Sequence, residues 1–595
     1  MSIALVDWVI IVGYLVFALL VGLVFTRRAG KSTREFFISG RNLPWWIAGT
    51  SMVATSFASD TPLVITGWVR KGGIAENWIW WSWAAGGMFS VFLLSRLWRR
   101  AEVVTDVELT ELRYSGRPGA ALRGFRAAYL AVPINSIIMA WVIVAMAKFM
   151  NVLFLDPSAG ATVMTPYVKA VIICITIATV YSVLSGFWGV VVTDFVQFII
   201  AMGGSIALAV LAVRHVGGLD ALREHAAAAS PLGTRLLRFF PEPPDGAALM
   251  SWEFWQTPFF AFLVYISVQW WANKNADGGG IIIQRMVSSK NERHALLATL
   301  WFNVAHYALR PWPWILVALV SVAVLPNLAD GEAAYPEMVK ALAPAGLLGL
   351  IIASFLAAFM STIDSTLNLS SSYVVNDFYR RFVRKDASER HYVGVSRIAS
   401  VYFMILASCI AVMFDSISGL FKFLLAFSSG VGLVYIGRWF WWRINAWSEI
   451  SAMVASSAIA SSLYIWGKDS GLTYPHILLI TVAGSTLVWV VVTFLTQPVS
   501  RERLVAFYRK VRPYGAWGPV ARDAGVPPAR GLGWLVVVWR SGTGMVLSAT
   551  FSVGKFLLGE PRHAWAYLAA AILGAAVVAV EVLRKQSPPQ ASQSA

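Results

Sequence analysis

The chain has 595 residues, of which 58% are hydrophobic and only 13% charged, about half the charged share of an ordinary soluble domain. With a mean hydropathy of +0.65, this much apolar surface cannot be hidden behind a polar shell, so a soluble enzyme, a nucleic-acid binder and a disordered chain are excluded. The 48 Lys and Arg against 31 Asp and Glu give a formal charge of +17, which in a membrane protein reads first as basic cytoplasmic loops.

Apolar runs long enough to span a bilayer recur along nearly the whole chain. They fall near 6–26, 44–69, 77–98, 125–154, 166–185, 189–213, 255–272, 295–325, 346–378, 394–414, 417–440, 448–466, 475–496, 532–558 and 562–583, fifteen candidate helices. The first starts on Asp7 and runs into Arg27-Arg28 with no small-residue cleavage site, so it reads as a retained helix and not as a signal peptide. Basic loops follow at 27–43, 96–126, 284–294, 379–397 and 501–530, while 214–254 is mixed and 326–345 carries Asp330, Glu332 and Glu337. With fifteen spans the five basic loops share one side. That predicts an N-terminus outside and a C-terminus in the cytoplasm. Cys174 and Cys409 both lie in apolar runs and read as small core hydrophobes, with no disulfide or metal cluster expected.

Two of the spans are interrupted. Span 44–69 contains Ser56-Phe57-Ala58-Ser59-Asp60-Thr61-Pro62, a carboxylate and a proline near mid-membrane depth. Span 255–272 ends in Trp270-Trp271-Ala272-Asn273-Lys274-Asn275-Ala276-Asp277 and a run of three glycines. Proline breaks the helical ladder, and broken backbone in a bilayer is tolerated only where it is buried in protein or lines a cavity. The two segments are the second and seventh helices. Interrupted helices at matching positions of two halves point to a transporter of inverted repeats, with the solute touching both breaks near the midplane. The solute would then meet Asp60 at the first break and Trp270, Asn273, Asn275 and Asp277 at the second. Arg310, half-way along the eighth helix, is a further candidate contact for an anionic group.

On the ninth helix Ser361, Ser365, Asn368 and Ser372 follow one helical face, flanked by Thr362 and Asp364. A dehydrated small cation needs such hydroxyls and carbonyls. An intramembrane carboxylate is itself a functional signal, and Asp194 on the sixth helix is a second one.

These segments resemble the sodium:solute symporter family over roughly residues 6–500. The likeness rests on Phe36-Phe37-Ile38-Ser39-Gly40-Arg41, Ala58-Ser59-Asp60, Tyr181-Ser182 through Thr193-Asp194-Phe195-Val196-Gln197, the Asn273 region with Gln284-Arg285, and Met360-Ser361-Thr362 through Asn376-Asp377-Phe378-Tyr379. The resemblance implies an all-α polytopic membrane protein of the leucine-transporter type: a 5+5 inverted repeat with one extra N-terminal and about four extra C-terminal helices. In this chain that gives 1–43 as the first helix and basic loop, 44–213 and 255–440 as the repeats, 214–254 as an extracellular loop, 441–583 as peripheral helices with a cytoplasmic loop 497–531, and 584–595 as a tail.

By the same resemblance, the family's shared sodium site falls on Ala58, Thr61, Ala358, Ser361 and Thr362. A second cation, held by some members, falls on Asp194, Ser361, Asp364 and Ser365. Asp364 stands where those members usually carry a hydroxyl, so a proton is an alternative to the second sodium. The glycine-bearing stretch after Trp271 differs from the sugar transporters' aromatic gate, so no sugar is implied. The expected activity is sodium-coupled symport of a small polar organic solute by a multi-pass protein of the cell (inner) membrane, with sodium as the co-transported ion and no nucleic-acid partner. The alternatives are a proton-coupled or channel-like carrier and, less favoured, a membrane-embedded hydrolase using Asp60, Asp194 or Asp364; these three acids lie on separate helices.

Overall fold

The computed structural model describes residues 3–29, 41–154, 164–246, 249, 251–414, 416–467 and 470–584. The described residues form helices and connecting loops, with two isolated bridging pairs and no strand. Eight helices among them are long and apolar enough to cross a membrane, or nine if one bent pair counts as a single span. The expected total of fifteen is higher in part because candidates such as 44–69 are broken, and most of 166–185 lies outside the residues whose side chains are described.

In chain order the helices used below are α1 (Leu5–Ala29), α2 (Trp45–Thr55), α3 (Asp60–Gly72), α4 (Gly116–Phe154), α5 (Met164–His215), α6 (Pro258–Ala272), α7 (Gly280–Ser288), α8 (Glu292–Val324), α9 (Leu347–Val383), α10 (Glu389–Val412), α11 (Ile417–Phe427), α12 (Gly432–Phe440), α13 (Ala446–Trp466), α14 (Tyr474–Leu495), α15 (Arg501–Val511), α16 (Leu532–Leu557) and α17 (Pro561–Leu583). The candidate spans 166–185 and 189–213 are one continuous helix, α5. Gly186 and Gly189 lie at their expected junction, but no proline occurs between Pro166 and Pro231. Glycine weakens a helix by about 1 kcal/mol without blocking its hydrogen-bond ladder, whereas proline blocks it.

Cys409 departs from the core placement expected of it. It is exposed on α10, on a helix whose outward residues include Ile398, Val401, Tyr402 and Ile405. An apolar outer face of this kind suits lipid. The side chain of Cys174, and the segment Phe36–Gly40 of the family likeness, lie outside the described residues.

Three breaks shape the centre of the bundle. The first, at Ser56–Ser59, separates α2 from α3. Pro62 explains its position: a continuous helix would need the Pro62 nitrogen to donate to Ala58, and the ring would strike that carbonyl. Pro62 is accommodated in the first turn of α3, and the Ala58 carbonyl accepts from Thr61 N–H at 3.2 Å. The second break, Asn273–Gly279, turns on Gly278 (φ 124°) and Gly279 (φ 74°), conformations that side chains disfavour. The third was not anticipated. The span expected at 417–440 bends by 44° between α11 and α12, across Ser428-Ser429-Gly430-Val431. There Gly432 lies so close to α6 that a Cβ would stand 2.0 Å from the Trp271 carbonyl oxygen and 2.4 Å from that of Ala272.

Ion pairs join the basic loop 96–126 to those at 284–294, 379–397 and 501–530. Arg100 pairs with Glu292 at 2.9 Å, Glu111 with both Arg123 (2.6 Å) and Arg381 (2.9 Å), and Lys510 with Glu102 at 3.5 Å. Arg113, Arg123 and Arg126, within the basic loop expected at 96–126, are buried. Arg126 bridges Asp106 and Glu449, and Arg113 caps the carbonyls of Arg438, Trp441, Trp442 and Ile444. At the opposite end Lys148 pairs with Asp330 and Glu332, and Glu332 accepts the N–H groups of Ile417 and Ser418 at the start of α11.

Two outcomes follow from this packing. Gly432→Ala drives a methyl into backbone atoms that cannot rotate away; overpacking of this kind costs about 1–3 kcal/mol. The variant is expected to unfold several degrees below wild type in a detergent thermal-melt assay, and an unchanged melting temperature would refute the close approach. Glu111 is the pH-sensitive tie. Burial alone would raise its carboxyl, but hydrogen bonds from Arg123 and Arg381 hold it below the ordinary glutamate value. Its stabilisation is therefore complete above the unfolded value of about 4.3 and is lost as pH falls through the lower folded value. Glu111→Gln is expected to shrink the loss of melting temperature between pH 5 and pH 3.

Candidate functional site

The site is built around the first break. A helix that stops inside a membrane leaves carbonyls with no water to bond, and side chains from two other helices supply the donors. Arg310 on α8 gives one nitrogen to the Ser56 carbonyl at 2.8 Å and another to the Val53 carbonyl at 3.3 Å and the Ser56 hydroxyl at 3.0 Å. Thr362 on α9 donates to the Thr55 carbonyl at 3.0 Å. A cation at a helix C-terminus also suits the macrodipole. The guanidinium lies 5.0 Å from the centre of the Phe57 ring and 5.2 Å from that of Trp314, and it contacts His306, whose other ring nitrogen accepts from Trp80 at 2.9 Å. Among the described residues Arg310 has no carboxylate within ion-pair distance. Asp60, at the first position of α3, keeps one buried carboxylate oxygen without a hydrogen-bond partner.

The polar stripe of α9 faces this break. Ser361 donates to Asp194 of α5 at 2.5 Å, and Asp194 also accepts from Ser51 (2.5 Å) and Thr55 (3.3 Å) of α2. Ser365 lies 3.3 Å from the Thr55 hydroxyl, and Asn368 accepts from Gln284 at 3.0 Å. Ala58 is buried on the unwound segment, and Ala358 is buried one turn before Thr362. Of the five residues expected to hold sodium, Thr362 thus engages the α2 side of the break directly, and Ser361 reaches it through Asp194, which accepts from Ser51 and Thr55 of α2. Asp364 is buried on the same helix, between Ser361 and Ser365.

Arg285 was expected in a basic loop at 284–294, but it is fully buried within α7. It donates to Ser51 (3.1 Å), Thr55 (2.9 Å) and Ser365 (2.8 Å) and lies 3.6 Å from Asp194. The visible signal was its setting, Ile281-Ile282-Ile283-Gln284-Arg285-Met286-Val287, which is too apolar for a loop.

At the second break the candidate solute residues have other occupations. Asn273 donates to the Gln269 carbonyl at 3.1 Å and accepts from the Asn275 N–H at 2.8 Å, a local turn that holds the end of α6. Asn275 accepts from Lys274. Asp277 is ion-paired with Arg438 of α12, which also reaches Glu449 of α13 at 3.3 Å, and the Asp277 carbonyl accepts from Trp98 at 2.8 Å. Trp270 packs sideways against Phe89 and Trp539, 6.2 and 5.2 Å between ring centres. The structure brings Asp60 and Arg310 to the first break and keeps the other four at the second. Arg438, Glu449, Ser51 and Thr55 carried no local sequence signal, because each matters through a partner far along the chain. Among the described residues no cluster of His, Cys, Asp and Glu suits a metal.

Comparison with known proteins gives the family. The sequence profile of the Sodium:solute symporter family matches residues 36–495. The chain is similar to sodium/glucose cotransporter 4 of Danio rerio, 25% identical over 565 residues that cover 84% of this chain and 80% of that one. It is also similar to the sodium/glucose cotransporter of Vibrio parahaemolyticus, 24% identical over 457 residues, 72% of this chain and 79% of that one. Among solved structures, a substrate-bound, outward-open Na+-coupled sialic acid symporter superposes with a TM-score of 0.64 at 21% identity, covering 84% of this chain and 100% of that one. That superposition carries the leucine-transporter-type fold expected above. The chain belongs to the sodium:solute symporter family, and it is therefore a sodium-coupled membrane transporter and not an enzyme.

Proposed function

We propose that this symporter carries a small polar organic solute by alternating access, with one sodium ion bound between the first break and the stripe of α9. The observation that carries the reading is the contact of Thr362 with the broken end of α2, at the Thr55 carbonyl, beside Ser361 on the same stripe. The Ala58 and Ala358 carbonyls, with Thr61, Ser361 and Thr362, would supply the oxygens. An ion bridging α9 to the break would favour the conformation in which the two are packed together. Sodium and solute then raise each other's affinity by the same factor, and each charge moved through 100 mV contributes about 2.3 kcal/mol to uptake. In this reading 44–213 and 255–440 act as the two repeats, which requires α5 to part near Gly186 and Gly189 into two crossings, since 52 residues are far more than one crossing needs; 214–254 faces outside, 441–583 is peripheral, and the basic loops face the cytoplasm.

For the solute, Asp60 and Arg310 offer an acceptor and donors beside aromatic faces. Glucose in the names of the relatives supports a hydroxyl-rich solute. Asn273 and Asn275 would contribute only if their local turn opens; Asp277 is occupied by Arg438, and Trp270 packs on Phe89 and Trp539.

Two measurements test this. Thr362→Ala in proteoliposomes is expected to raise the sodium concentration for half-maximal uptake about tenfold while leaving the melting temperature within a few degrees; sodium dependence like that of wild type would remove Thr362 from the site. Asp60→Asn is expected to weaken binding of whichever solute a sodium-dependent thermal-shift screen identifies by about tenfold, roughly 1.4 kcal/mol, with solute-free sodium binding nearly intact. Loss of sodium binding with solute affinity retained would place the pocket elsewhere.

A further inference from the structure

A cavity of about 640 Å³ opens where the start of α4 meets α15 and the end of α9. Five cations line it: Arg117 and Arg123 of α4, Arg381 of α9, and Arg503 and Lys510 of α15. Three of them are already matched by acids. Arg123 pairs with Glu111 and Asp377, Arg381 shares Glu111, and Lys510 lies 3.5 Å from Glu102. Glu108, a further acid in the wall, accepts the Val104 N–H at 2.7 Å. Arg117 and Arg503 are exposed and have no acid within ion-pair distance among the described residues. Their helices touch: the Ser500 N–H just before α15 donates to the Ser115 hydroxyl just before α4 at 3.3 Å. The wall therefore offers two uncommitted guanidinium forks side by side, a shape that matches phosphate oxygens.

The rim of the same cavity is apolar. Phe125, Phe378 and Phe382 are 37, 46 and 44% exposed. Phe378 and Phe382 lie over Gly124, the neighbour of Arg123, where a Cβ would stand 3.2 Å from the Phe382 ring and 3.9 Å from that of Phe378. The Arg381 guanidinium is 5.6 Å from the centre of the Phe382 ring, so the basic wall and the aromatic ledge are continuous. Between Arg123 and Lys148 α4 rises about 37 Å, enough to cross a hydrocarbon core of about 30 Å. With Lys148 at one interface, Arg123 stands at headgroup level on the other, and Phe125 and Phe378 lie a little deeper. A soluble phosphate compound has no use for such a ledge, whereas a phospholipid does.

We propose that this cleft binds an anionic phospholipid of the cytoplasmic leaflet, with its phosphate between Arg117 and Arg503 and its acyl chains along Phe125, Phe378 and Phe382. The site goes beyond the symport reading, and only the naming of the leaflet rests on the orientation given there. Anionic lipids of that leaflet attract basic segments. The bound phosphate staples α15 to the start of α4, next to the Arg123–Asp377 pair that joins α4 to the end of α9.

Native mass spectrometry and thermal melts of the purified full-length protein in detergent test this, with phosphatidylglycerol, phosphatidylcholine or inorganic phosphate added. Wild type is expected to bind phosphatidylglycerol about tenfold more tightly than phosphatidylcholine and to melt several degrees higher with it. Inorganic phosphate is expected to leave the melting temperature unchanged. The double variant Arg117→Gln, Arg503→Gln is expected to bind the two lipids equally, while Arg293→Gln, at an exposed arginine of the loop 284–294, keeps the preference. Equal binding of both lipids by wild type, or an undiminished preference in the double variant, would overturn the site. Stabilisation by inorganic phosphate as large as that by phosphatidylglycerol would overturn the lipid in favour of a soluble phosphate compound. Exposed substitutions of this kind rarely disturb folding; should the double variant not fold, the two single variants decide, each expected to lose part of the preference. Absence of sodium-dependent uptake by wild type would overturn the symport reading and leave this binding intact.

Discussion

A carbonyl released from a helix inside a bilayer has no water to turn to, so the protein must bring a donor to it. Much of the centre of this molecule answers that constraint. Pro62 prevents α2 from running on, and the carbonyls of Val53, Thr55 and Ser56 are met by Arg310 from α8 and Thr362 from α9. The break is therefore the place where helices far apart in sequence must converge. A polar stripe on α9, intolerable against lipid, becomes useful there, because Ser361, Thr362 and Ser365 find partners across the gap. The binding chemistry of a symporter follows from the same geometry: oxygens that can bond to one another can also surround an ion.

Charge is arranged in two tiers. In the middle of the bundle, Arg285 with Asp194 and Arg310 near Asp60 place two fixed cations and two acids around the first break. Toward the end that carries the basic loops, Asp277, Arg438, Glu449, Arg126 and Asp106 form a continuous buried chain from the second break to α13 and α4. Breaking one partner of a buried pair leaves the other charge uncompensated, which typically costs 3–5 kcal/mol. Such a chain ties the second break to α12, α13 and α4 through specific partners, while its polar groups could rehydrate once separated.

The sequence made much of this legible. Uniform apolar runs announce spans, Pro62 and the Gly278–Gly280 run announce breaks, and hydroxyls at helical spacing announce an interior face. What escaped was whatever depends on a distant partner. Arg285 resembles loop charge until Asp194 and Ser365 are seen beside it. Asn273 and Asp277 resemble solute ligands until their bonds to Gln269, Asn275 and Arg438 are counted. The bend at 428–431 escaped because its apolar flanks run on without proline, and the single helix Met164–His215 because glycines at its middle looked like an ending.

Gly432 gives the third break a mechanical meaning. Between most packed helices, side chains act as compliant bearings that absorb small displacements by changing rotamer. Here the backbone of α12 rests directly on the carbonyl ends of α6, so the joint has no slack. A rotation of α12 about 428–431 is transmitted undamped to the peptide planes next to Asn273, and the hinge and the second break behave as two ends of one stiff crank.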